Sequence, residues 1–207
     1  MRRITSGRCL KTLILSCLLL PALSLASPAE ELRTRLASFD ALRAAFTQTV
    51  TDEQGTLLNE AQGLLQLQKP KRILVHTMEP DETFLFTRAD GLYFYDPFIN
   101  QVTIMDSGVL DTSPFALLIS SDPSLWERYA IAGEDGSYTL TVRAPSEGSG
   151  ALNKLTLTFD GESLSSLSLF MQDGTVNSYT FSGVTTEIRA EDFEVVLPPD
   201  VEVDDGR

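Results

Sequence analysis

The sequence predicts a mainly β domain with a few helices, its strands running as an antiparallel meander with one apolar face. Three observations carry this reading. Turn dipeptides recur along the chain: Gln54-Gly55, Asp90-Gly91, Asp135-Gly136, Asp160-Gly161 and Asp173-Gly174. Between them lie β-branched and aromatic runs of period two, such as Leu92-Tyr93-Phe94-Tyr95 and Leu155-Thr156-Leu157-Thr158-Phe159. Asp-Gly between alternating runs is a hairpin signal. Helical spacing, in contrast, is confined to residues 28–39 and to a stretch beginning near Thr112.

The first element is a leader. Arg2, Arg3, Arg8 and Lys11 precede an apolar run, Leu13 to Leu20, which Pro21 breaks before Ser24-Leu25-Ala26. Basic, apolar, then small-x-small is the order of a secretory signal peptide, and the run is too short for a membrane span. Residues 1–26 are therefore expected to be removed after Ala26, leaving residues 27–207 as a single domain with a sizeable core. Leu15-Ser16-Cys17 is loosely like a lipidation site, but Leu18, Leu19 and Leu20 place that cysteine inside the apolar run. Removal takes four of the 16 Lys and Arg and none of the 29 Asp and Glu, so the formal charge falls from −13 to −17. Such a surface repels nucleic acid and anionic membranes. Cys9 and Cys17, the two cysteines, leave with the leader, and with them any disulfide, thiol nucleophile or thiolate metal site.

The mature start is helical. Ser27 at N-cap, Pro28 at N1 and Glu30 at N3 form a capping box, and Leu32, Leu36 and Phe39 follow at helical spacing to about residue 39. Strands begin near Ala44. One region interrupts them: Thr112-Ser113-Pro114 opens a short helix from Phe115 to Ile119. Asp122-Pro123 opens another containing Leu125, Trp126 and Tyr129.

Strand parity defines the apolar face. Leu65, Leu67 and Lys69 share one side against Leu64, Gln66 and Gln68; Ile73 and Val75 oppose Arg72, Leu74 and His76. Leu155, Leu157 and Phe159 oppose threonines, and Leu167, Leu169 and Met171 oppose Ser166, Ser168 and Phe170. A one-faced sheet must be covered. Two readings stay open: a barrel or sandwich filled by its own side chains, or a hollow covered by the few available helices acting as a movable lid.

Catalytic chemistry is sparse. His76 is the only histidine, so neither a zinc site nor a triad has its usual partners. There is no nucleophile elbow, P-loop or dinucleotide fingerprint. The acids lie mostly in turns and the tail, and none is singled out as a glycosidase pair. The expectation is a non-enzyme without metal or other cofactor.

An ordered series of short segments resembles the periplasmic outer-membrane lipoprotein carrier family, LolA. It comprises Phe46-Thr47-Gln48, Gln62-Gly63 leading to a basic residue before Pro70, and Pro80-Asp81-Glu82. It continues with Phe94-Tyr95-Asp96-Pro97-Phe98, Gln101, Thr112-Ser113-Pro114-Phe115, Leu197-Pro198-Pro199 and Val203-Asp204-Asp205. The resemblance implies an unclosed, strongly curved antiparallel β-barrel of about 10–11 strands, with a lid of about three short helices over an apolar concave face. It also implies a soluble, monomeric periplasmic chaperone of a Gram-negative bacterium. Such a chaperone takes triacylated lipoproteins from the inner-membrane ABC transporter LolCDE and passes them to the outer-membrane receptor LolB, with the acyl chains held in the cavity. Two other roles stay open: another lipid- or lipoprotein-binding module of this fold, and a periplasmic hydrolase.

Where the family has an inward arginine that bonds lid carbonyls, this chain has Lys69, whose parity with Leu65 and Leu67 also points it inward. Lysine offers one flexible ammonium in place of a planar fork, so the resemblance implies a weaker latch. Arg72 could take the role instead, or Lys69 could be a solvated strand-end charge. Ile73 and Val75 stand where the family often has aromatics. With Leu65, Leu67, Phe84, Phe86, Phe115 and Leu118 they are the candidate cavity lining, plain core being the alternative for the last four.

Overall fold

The computed structural model describes residues 27–113, 115–120, 122–144 and 151–207. The expected leader and Pro114 lie outside these. Helix α1 spans Pro28–Ala37 and ends two residues short of the expected Phe39. Ser27 caps it as the sequence predicts, its side chain accepting from Glu30 N at 3.2 Å.

Six strands follow: β1 (Ala41–Thr51), β2 (Leu57–Gln68), β3 (Arg72–Glu79), β4 (Thr83–Arg88), β5 (Gly91–Asp96) and β6 (Gln101–Met105). Short helices α2 (Gly108–Thr112), α3 (Ala116–Ile119) and α4 (Ser124–Glu127) come next. A second meander contains β7 (Tyr129–Glu134), β8 (Ser137–Val142), β9 (Leu152–Asp160), β10 (Ser163–Met171) and β11 (Val176–Thr185). A 3-10 turn, Ala190–Phe193, and β12 (Glu202–Asp205) complete the chain.

All twelve strands form one open, curved sheet in the order β12-β6-β5-β4-β3-β2-β1-β11-β10-β9-β8-β7. The two meanders join through the antiparallel pairing of β1 with β11, in which Phe46 faces Phe181 and Gln48 faces Tyr179. Ten or eleven strands and three helices were expected. β12 adds parallel to β6 and is Glu-Val-Asp-Asp, a sequence with too little apolar alternation to read as a strand. The additional helix, α2, begins at glycine and carries no apolar repeat. Trp126 ends up in α4, but Tyr129 begins β7. At the β7–β8 turn both Asp135 (φ 50°) and Gly136 (φ 80°) are left-handed, the backbone a tight twisted hairpin requires.

The concave face of the sheet is covered, and so is part of its convex face. The larger core lies on the concave face, where Leu42, Ala44, Leu65, Leu67, Ile73, Leu140, Leu155, Leu157 and Leu167 meet the four helices. The smaller lies on the convex face of β3–β6: Leu74, Phe86, Tyr93, Tyr95, Val102 and Ile104 pack beneath Phe193, Val195 and Leu197 of a C-terminal strap. No described helix is long and apolar enough to cross a membrane.

Candidate functional site

The candidate site is the concave face and the helices over it. Leu65, Leu67 and Ile73 are almost fully inaccessible, at 1%, 0% and 1% exposure, and Val75 packs at the margin of the same core. Phe115 and Leu118 face them from above, joined by Leu117, Ile119, Leu110, Leu125 and, from α1, Leu32 and Leu36. The concave face is thus occupied by the chain's own helices. Beneath α1 and α4 a cleft of about 360 Å³ remains, lined by Arg33, Leu36, Lys69, Leu117, Pro123 and Trp126.

Two of the expected lining residues lie elsewhere. Phe86 sits directly across from Leu74 and Phe84 across from His76, which puts both on the convex face. Phe86 stacks on Tyr93 at 5.4 Å and Phe84 on Tyr95 at 6.0 Å. In Thr83–Arg88 apolar residues occupy both parities, because this part of the sheet is buried on both sides. Leu85 is the member of β4 that joins the concave core.

Lys69 points inward as its parity requires. Its Nζ donates to Leu36 O and Phe39 O, both at 2.6 Å, and sits 4.8 Å from the Phe39 ring centre. Leu36 O is one of the carbonyls that the C-terminal end of α1 leaves without a helical partner, and Phe39 O belongs to the turn just beyond its C-cap. Burial lowers the Lys69 pKa from its ordinary value, and Asp40 opposes part of that shift. Arg72 does not serve this end: it lies on the convex face, donating to Ala190 O at 3.0 Å and stacking over Phe193 at 4.5 Å.

A second tie was not visible in the sequence. Arg35 Nε donates to Tyr138 Oη at 2.9 Å, and Nη1 donates to Gly161 O at 2.7 Å. Its guanidinium lies 5.5 Å from the Phe159 ring centre, and its hydrogen bond to Glu31 raises its already high pKa. Burial raises the Tyr138 phenol as well. Helix α1 is therefore held to β2 by Lys69 and to β8 and the β9–β10 turn by Arg35. Arg33, 5.4 Å from the Trp126 ring centre, links α1 to α4. In the primary structure Arg35 reads only as a helix-surface charge near Glu31, and Tyr138 and Gly161 lie more than 100 residues away.

Helices α2, α3 and α4 have four or five residues each and no side-chain hydrogen bond at their N-caps. Helices this short do not persist alone in water. They stand here because their apolar side chains are buried in the sheet.

No group of three or more potential metal ligands occurs among the described residues. His76, on the convex face, is 2.8 Å from Glu82 and stacks on Phe84 at 4.1 Å. Among the described residues, Arg33 and Lys69 line the cleft under α1, and Arg35 bonds Tyr138 of the same core. The pKa of Tyr179 is raised by burial.

The model of the family described as outer membrane lipoprotein carrier protein LolA matches residues 37–195. An outer-membrane lipoprotein carrier protein from Pseudoalteromonas translucida is 35% identical over 188 residues, 88% of this chain and 89% of that one. Another, from Haemophilus influenzae, is 33% identical over 201 residues, 96% and 97% of the two chains. Among solved structures, an uncharacterized conserved protein from Thermus thermophilus superposes with a TM-score of 0.55. That match covers 86% of this chain and 98% of the other at 14% identity, and it speaks to the fold alone.

Proposed function

The chain belongs to the outer membrane lipoprotein carrier family, and on that premise we propose that it is a non-enzymatic periplasmic chaperone for acylated lipoproteins. It receives cargo from LolCDE at the inner membrane, shields the acyl chains on its concave face, and yields them to LolB at the outer membrane. The observation that carries this reading is the apolar concave face covered by short helices that only burial holds in place.

The energetics favour such a role. Burying a methylene contributes ~0.8 kcal/mol, so the tens of methylenes of three acyl chains cannot cross water unaided. The helices now occupy the space those chains need. Displacing Leu110, Phe115, Leu117, Leu118, Ile119 and Leu125 costs ~1.5–3 kcal/mol for each side chain exposed. Cargo binding is an exchange of one apolar occupant for another, so the net affinity is far below the gross burial term. That keeps the cargo releasable, because only the difference in affinity between the covered and uncovered states shifts the equilibrium. Lys69 and Arg35 bias this balance by fixing α1, and the three short helices are the part that yields.

The test is direct. Mature protein purified from the periplasm is examined by mass spectrometry for co-purifying acylated lipoproteins, and loaded protein is mixed with LolB. Co-purification and transfer are expected. Protein that emerges free of acylated chains under conditions where lipoprotein export is active would overturn the proposal.

A further inference from the structure

The convex face carries a cationic pocket that the carrier reading does not use. Of the 12 Lys and Arg from residue 27 onward, Lys71, Arg72 and Arg88 line one cleft of about 660 Å³, with Phe86, Phe193 and Val195 as its apolar wall and Glu194 as the single carboxylate in its lining. In a chain where acids outnumber bases 29 to 16, this collects positive charge against the average.

Two of these cations face each other. Leu74 is paired with Phe86, and Ile73 N donates to Thr87 Oγ1 at 3.0 Å. Continuing that register sets Arg72 across from Arg88 at the strand ends. Like charges opposite one another across a strand pair are destabilising. Among the described ion pairs, neither guanidinium has a carboxylate partner. Each is instead held by the protein. Arg72 lies 4.5 Å over the Phe193 ring and donates to Ala190 O at 3.0 Å. Arg88 lies 5.2 Å over the Phe86 ring and donates to Val195 O at 3.0 Å. A guanidinium has five N–H donors, so both keep donors for a ligand.

We propose that this pocket binds the headgroup of an anionic phospholipid, with the phosphate between Arg72 and Arg88 and the first methylenes against Phe86 and Phe193. Phosphate matches the planar donor fork of arginine and relieves the facing charges. The apolar wall favours an amphiphile over a free anion. An extended acidic peptide fits less well, because the strap at 193–196 separates this pocket from the neighbouring cleft lined by His76 and Glu82. The site gives a negatively charged protein one oriented contact with a lipid surface. It does not depend on the acyl-carrier role of the opposite face.

The experiment is calorimetric titration of the mature protein with monomeric dihexanoyl-phosphatidylglycerol, dihexanoyl-phosphatidylcholine, inorganic phosphate and a Glu-rich hexapeptide. Phosphatidylglycerol is expected to bind best, more weakly as salt rises. Arg72→Gln and Arg88→Gln are each expected to weaken it by about tenfold or more, while Arg143→Gln leaves it unchanged. Thermal unfolding checks that each variant is folded. The pair Arg72→Lys and Arg88→Lys keeps the charge if a glutamine variant is not folded, and it is expected to retain weakened binding. Equal binding of the two lipids, phosphate binding as tightly as lipid, tighter binding of the peptide, or indifference to both arginine substitutions would each overturn the proposal.

Discussion

Replacing Lys69 with methionine should loosen the C-terminal turn of α1 without disturbing the sheet beneath it. The side chain keeps its apolar length but loses two 2.6 Å bonds to Leu36 O and Phe39 O. Bonds from a charged donor contribute about 1.5–3 kcal/mol each. Burial of the ammonium, evident in its lowered pKa, offsets part of that. A net loss of about 2 kcal/mol is expected, which raises the opened fraction ~30-fold. The assay uses thiol labelling. Both native cysteines lie within residues 1–26, so in chain starting at Ser27 a Leu36→Cys variant has one thiol, at a position 3% exposed. When opening and closing are fast, the labelling rate reports the opened population. The rate should rise about 30-fold in the Lys69→Met background. A rate unchanged to within about twofold would show that Lys69 does not hold the helix, and the latch reasoning fails.

Arg35→Ala removes the bonds to Tyr138 Oη and Gly161 O; a loss of about 1–2 kcal/mol should lower Tm by about 2–8 °C, and a fall under about 1 °C by circular dichroism would show that the tie is idle. Gly63→Ala drives a methyl into His76 O and the Phe46 ring, so a loss of at least about 2 kcal/mol is expected from the denaturant midpoint. Asp205 is held at a pKa of about 2 by Arg207, below its ordinary 3.8. A depressed carboxylate stabilises above its unfolded pKa and loses that contribution as pH falls through the folded one. Amide exchange in β12, corrected for intrinsic rates, should therefore accelerate between pH 4 and pH 2, and Arg207→Gln should abolish the difference.

Local chemistry made much of the fold legible. The Ser27-Pro28-Ala29-Glu30 cap, the Asp-Gly turns and the inward parity of Leu65, Leu67, Leu155 and Leu167 are properties of residues two to four apart, which a sequence displays directly. Lys69 was legible for the same reason, since its side of the strand follows from Leu67. Phe84 and Phe86 were not. Their segment is apolar at both parities, and the choice of face depends on the register with Leu74 and on a strap more than 100 residues downstream.

By itself the sequence determined a capped first helix, alternating strands with one strongly apolar side, and a lysine aimed at that side, because each follows from nearest neighbours along the chain. Only the tertiary structure decided that β1 joins β11, that the strap buries a second face, that Arg35 reaches Tyr138, and that α2–α4 fill the concave face they cover. Those are long-range pairings, and the free energy that selects them comes from surfaces that meet only after the sheet has curved.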